Sequence, residues 1–162
     1  MATGVRAKIG SPKDRAIDYS QILDGRGKGE IVMIWWLVPP IIENYPDGRA
    51  LVDKYVLVGL IHAHTQADST FDFDSVDHLV AADADGKPLK LLNEDEMPPT
   101  VAGALSALKS VFVHALGPMG KGTHWFAFEG GKVHACGKGR LTIPFAGETY
   151  FYDTPIPGCP GA

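Results

Sequence analysis

The stretch Glu30-Ile31-Val32-Met33-Ile34-Trp35-Trp36-Leu37-Val38 decides how the chain reads. It is apolar at both parities, with Ile31, Met33, Trp35 and Leu37 on one side and Val32, Ile34, Trp36 and Val38 on the other. A strand sends successive side chains to opposite faces, so such a run needs cover on both. Pro39-Pro40 ends it, because proline has no N–H to give to a ladder. The wider apolar run Ile31–Ile42 falls short of the roughly 20 residues of a membrane span, and the prolines interrupt it.

Beyond this strand, Tyr45-Pro46-Asp47-Gly48 reads as a turn. Leu51–His64 reads as a long strand whose even positions Val56, Val58, Leu60, His62 and His64 share a face. Gly59 at its middle predicts a bulge or bend. Phe71–Ala82 and Leu89–Leu92 form an expected hairpin around Asp85-Gly86. Val101, Leu105, Leu108, Phe112 and Ala115 recur at helical spacing and predict one amphipathic helix near 100–116, capped by Thr100 and stopped by Gly117-Pro118. The β-capable segment Ser110–Leu116 allows that helix to end near Lys109. Two further hairpins are expected: Thr123–Phe128 with Lys132–Cys136 around Gly130-Gly131, and Arg140–Phe145 with Glu148–Asp153 around Ala146-Gly147. In the last one Leu141, Ile143, Tyr150 and Tyr152 line the core face, and Arg140 opposes Asp153.

The fold class expected is mainly β, a β-rich α+β chain. It would form an antiparallel sandwich or a curled, barrel-like sheet of about eight strands with one helix. The 19 glycines and 12 prolines among 162 residues suit short strands joined by tight turns. Residues 30–153 read as a single domain, 154–162 as a Pro/Gly-rich tail and 1–29 as a flexible basic arm. The net charge of −4 gives no basic footprint for nucleic acid. Met1–Gly10 has no apolar signal stretch, so a cytoplasmic protein that engages no membrane is expected. The two cysteines, Cys136 and Cys159, fit neither a CxxC nor a zinc pattern. Reduced thiols are the expected state in a cytosol, with a Cys136–Cys159 bridge as the alternative.

His62-Ala63-His64 is the leading candidate for chemistry. On a strand the two histidines point the same way with α carbons about 7 Å apart, and Asp72 and Asp74 share a face of the next strand. A histidine beside a carboxylate suits acid–base work, so these four residues are the expected catalytic group. Alternatively His62, His64 and Asp72 would hold a divalent metal. Trp35, His124, Phe126 and Tyr150 are the expected substrate-binding residues, flat or polar groups able to line an apolar pocket. In the expected hairpin His124 and His134 fall on opposite faces and share no ligand. Gly117–Trp125 lacks the spacing of a phosphate loop, and no nucleophile elbow is present, so no nucleotide cofactor is implied.

These features favour a barrel-like enzyme of lyase, isomerase or cyclase type acting on a small apolar molecule without a nucleotide cofactor. The alternatives are a divalent-metal-binding protein and a non-catalytic sandwich for self-assembly or partner binding. A homo-oligomer fits the doubly apolar strand.

Overall fold

The computed structural model describes residues 4–11, 13–41 and 46–159. In chain order it has β1 (Val5–Arg6), α1 (Ala16–Tyr19), β2 (Gln21–Gly27), β3 (Glu30–Trp36), α2 (Pro46–Lys54), β4 (Tyr55–Thr65) and β5 (Phe71–Phe73). Then follow α3 (Pro99–Leu116), β6 (His124–Glu129), β7 (Gly139–Phe145) and β8 (Glu148–Thr154). The strands form one sheet ordered β1-β8-β7 and a second ordered β2-β3-β4-β5, with β6 also on β4. The sheets are open among the described residues, so the sandwich form of the expectation holds and the closed barrel does not.

The architecture answers the demand made by Ile31–Val38. Val32, Ile34 and Trp36 join Val58, Leu60, Leu141, Ile143, Tyr150 and Tyr152 in the core between the sheets. Trp35 and Met33 face the other way and pack with Phe112 of α3. The molecule therefore has three layers: the three-stranded sheet, the five-stranded sheet and the helices. Both faces of β3 are covered because each parity has its own partner layer.

Strand β4 spans 11 residues because its two edges serve three strands. One edge takes β3; the other is shared, with β6 along Tyr55–Leu60 and β5 along Ala63–Thr65. Gly59 makes neither bulge nor bend. It sits in register between Trp35 and Trp125, and a Cβ there would lie 2.8 Å from the Trp125 ring. The expected bulge is replaced by a packing slot, into which Phe112 sets its ring edge-on to Trp35 and Trp125 at 5.0 and 5.1 Å.

Several boundaries differ from expectation. Residues 51–54 belong to α2, with Pro46 and Asp47 in its first turn and Lys54 in its last, an order that proline geometry and the helix dipole favour. Tyr45 of the expected turn lies outside the described residues. The long strand expected from Phe71 is regular only over Phe71–Phe73, but the turn at Asp85-Gly86 forms as read: Ala82 bridges Pro88, the Leu89 N–H donates to the Ala81 carbonyl at 2.8 Å, and the Asp83 carboxylate accepts the Asp85 and Lys87 N–H groups. Isolated bridges then join Ala82 to Thr142 and Leu91 to Phe128, tying this segment to both sheets. The Gly130-Gly131 hairpin does not form. Gly130 donates to the Lys54 carbonyl at 3.1 Å, and β6 pairs with β4 instead.

Helix α3 runs its full length to Leu116, with Pro98 and not Thr100 at the cap position. The segment read as an arm contributes β1 to one sheet and β2 to the other. Cys136 and Cys159 are bridged, Cα–Cα 5.4 Å, so the reduced-thiol expectation gives way to its alternative. The Ala146-Gly147 hairpin forms as read. Both turn residues have positive φ, Arg140 donates to Asp153 at 2.8 Å, and Leu141, Ile143, Tyr150 and Tyr152 are fully buried.

Candidate functional site: a histidine–carboxylate cluster at the sandwich rim

Registers place the cluster. Glu30 lies opposite His64 and Val32 opposite His62 across β3–β4, while His64 lies opposite Asp72 across β4–β5. Paired residues share a face, so these side chains project towards β7 and β8. The Asp74 N–H donates to the His62 carbonyl at 2.9 Å and continues the pairing past β5. The apolar core between the sheets gives way here to a polar rim, where the Phe145 ring stands edge-on to His62 at 5.3 Å.

His62 is the centre of the group. Its Nε2 lies 2.8 Å from Glu30 Oε1 and its Nδ1 2.9 Å from Asp74 Oδ2, with only 13% of the side chain exposed. A neutral imidazole has one N–H donor, so both contacts are hydrogen bonds only when both nitrogens carry protons. His64 Nδ1 approaches the same Asp74 oxygen at 3.6 Å, and its ring centre is 5.0 Å from that of His62. Arg26 adds a cation, Nη1 at 3.2 Å from Glu30 Oε1, while its Nη2 donates to the Ala146 carbonyl. The hydrogen bond from His62, helped by the charge of Arg26, holds the Glu30 carboxyl below its ordinary pKa.

Among the described residues Glu30, His62 and His64 form a potential metal-binding group, with one ligand atom of each within 4.8 Å of the others. Two histidines and one carboxylate suit a divalent first-row ion with open coordination positions. Bonds of about 2.0–2.2 Å would place ligand atoms roughly 3–3.5 Å apart, so an ion would draw the widest pair together. His64, 41% exposed, has room for that movement.

The structure brings together His62, His64 and Asp74. Asp72 is on the same face but exposed, and it is Asp74 that reaches the rings. The expected substrate-binding residues do not converge on them. Trp35 packs on the opposite face of the sheet. Tyr150 is buried between the sheets, its hydroxyl donating to Asp24 at 2.7 Å, and burial raises its pKa. His124 and Phe126 border a separate groove of about 690 Å³ beside α3, together with Thr123, whose buried hydroxyl has no protein partner. Sequence reasoning missed Glu30 and Arg26. Glu30 shares its parity with Val32 and Ile34 and is the one charge in that series, a signal that becomes legible only once β3 is paired with β4.

Fold and site together define a two-sheet sandwich with a helical third layer and a histidine–carboxylate cluster at its rim. Comparison of the chain with known protein families, curated proteins and solved structures finds no match.

Proposed function

We propose that this protein binds a divalent metal ion through Glu30, His62 and His64, with Asp74 orienting His62 from behind. The observation that carries the reading is the convergence of three ligand atoms within 4.8 Å. The contact of Asp74 with His62 Nδ1 supports it, because metal-bound histidines ordinarily pass their second ring N–H to a carboxylate. An ion entering at Nε2 would displace the proton shared with Glu30 Oε1, so binding would release protons and weaken as pH falls. The remaining coordination positions would take water or substrate oxygen, where the ion acts as a Lewis acid.

The test uses tag-free, chelator-stripped protein titrated with Co²⁺, followed by calorimetry and visible absorption. One ion per chain is expected. His64→Ala and Glu30→Gln should weaken binding at least tenfold, and Asp74→Asn by about 10–100-fold. Absence of saturable binding, or binding indifferent to His64→Ala and Glu30→Gln, overturns the proposal.

The double contact of His62 favours a second reading, metal-free acid–base catalysis of lyase or isomerase type, with His62 as proton carrier and Asp74 as its orienting carboxylate. Turnover that survives chelation and is lost in His62→Gln would select it.

A further inference from the structure

Five consecutive residues, Thr123–Ala127, border the groove of about 690 Å³ beside α3. Side chains of a strand alternate between its faces, so a cavity that touches all five runs along the strand's edge. Its far wall is one face of α3, formed by Ala102, Leu105, Ser106 and Lys109, and Asn93 and Met97 stand at one end.

Further along, the same edge is already in use. The Leu92 N–H donates to the Ala127 carbonyl and the Glu129 N–H to the Lys90 carbonyl, both at 2.9 Å. Lys90–Leu92 therefore lies antiparallel beside the end of β6, and the chain then turns away into the short helical turn Glu94–Glu96. Main-chain groups alternate along a strand as side chains do. Ala127 and Glu129 direct theirs away from β4, and Trp125, at the same parity, does likewise. Among the described residues nothing pairs with the Trp125 N–H or carbonyl.

The side chains of this stretch carry the same deficit. Among the described residues only two buried side-chain polar atoms lack a hydrogen-bond partner, Thr123 Oγ1 and Trp125 Nε1, and Thr123 is 2% exposed. Buried polar groups are nearly always paired, so two orphans beside one groove mark a place for a partner. The Trp125 main chain offers that partner a donor and an acceptor at strand spacing, between Leu105 on one face and Phe126 on the other. Asp77, Glu94 and Lys109 bring charges of both signs to the lining, so hydrogen bonding and shape, not net charge, select the occupant. The edge is also recessed, with Thr123, Phe126 and Ala127 all under a tenth exposed. One strand fits between this edge and α3; the sheet of a second copy, carrying its own flanking helix, does not reach it.

We propose that the unpaired edge at Thr123–Trp125 binds an extended, apolar peptide segment as an added antiparallel strand. The peptide main chain pairs with that of Trp125, in line with Lys90–Leu92, and its alternate side chains lie beside Leu105 and Phe126. This site is separate from the metal site and does not depend on it.

The probe is a five-residue peptide alternating valine and threonine, blocked at both ends and titrated into the full chain by calorimetry and amide NMR. Saturable binding is expected, with the largest shifts at Thr123–Phe126. The Trp125 amide should exchange quickly in the free protein and roughly tenfold more slowly with peptide bound. N-methylation of alternate peptide residues should abolish binding at the parity whose N–H groups face Trp125 and spare it at the other. Thr123→Val should weaken binding about fivefold, the loss of one hydrogen bond, without lowering the melting temperature. Ser106→Trp, at an exposed position of α3, should block the groove while circular dichroism holds. Binding should persist in Glu30→Gln, which separates this site from the metal cluster. Absence of saturable binding, equal loss at both parities of N-methylation, or a Trp125 amide already protected in the free protein overturns the proposal. A dimer in sedimentation that Ser106→Trp dissociates would assign the edge to a second copy and overturn it equally.

Discussion

At Glu30 one carboxylate oxygen meets both a histidine ring and a guanidinium, at 2.8 and 3.2 Å. Its pKa lies below the ordinary 4.5, with the His62 hydrogen bond the largest cause. The sign of the linked stability follows from that depression. The unfolded chain takes up the proton first as pH falls through about 4.5, so the stabilisation is intact above that value and is lost towards the lower folded pKa. Chemical denaturation between pH 3 and pH 6 should therefore show a steeper acid limb for the native chain than for Glu30→Gln. Identical limbs would remove Glu30 from the account of the cluster. At this scale the sequence was informative about His62, His64 and Asp74, because period-two alternation alone puts each pair on one face. It was silent about Glu30, whose role depends on a register between strands separated by a helix, with no tight turn to fix it.

Among elements, β4 was identified and α2 was mistaken, and the two outcomes have one cause. Leu51, Val52, Tyr55, Val56 and Leu57 form an apolar sequence that fits either period over a short window. Only the surrounding cues, Pro46 and Asp47 before and Lys54 at the end, favour a helix up to Lys54. Hairpins were recovered where the turn residues fully specify the pairing, as at Ala146-Gly147. They failed at Gly130-Gly131, where the Lys54 carbonyl captures the Gly130 N–H. Gly59 was read as a local backbone device and is in fact a tertiary one. Gly59→Ala should destabilise by about 1–3 kcal/mol, because the added methyl meets the Trp125 ring and overpacks the slot that seats Phe112. Gly103, in α3 with nothing within 4 Å of an added Cβ, is the matched control. There alanine should stabilise by roughly 0.5–1 kcal/mol. Urea denaturation of both variants checks the pair, and a loss at Gly103 as large as at Gly59 would refute the slot.

For the molecule as a whole, composition and turn spacing conveyed a β-rich sandwich with one main helix. The third layer was only implied, by the two-sided hydrophobicity of β3. The disulfide was an open alternative in the sequence because 23 residues separate its cysteines and proximity depends on tertiary structure. It ties the segment after β6 to the segment after β8, next to the hydrogen bond from the Ile156 N–H to the Ala135 carbonyl. Reduction, or Cys136→Ser with Cys159→Ser, should cost about 3 kcal/mol for a loop of this length. Urea unfolding with and without reductant measures it, and coincident curves would show that the bridge contributes nothing. Bridges of this kind are rare where glutathione and thioredoxin keep thiols reduced and common in oxidising surroundings.

The three-stranded sheet joins residues 5–6 to residues 139–154. Tyr152 also donates to the Ser20 carbonyl, and Tyr150 reaches Asp24, across well over a hundred residues of chain. During synthesis, then, the inner face of the five-stranded sheet emerges early and lacks its cover until the β7–β8 hairpin has been made. Val32, Ile34, Val58 and Leu60, all buried in the finished sandwich, spend that interval facing water. A ribosome-bound chain halted before residue 139 would present a bare hydrophobic sheet, the kind of surface on which nascent chains aggregate or recruit chaperones.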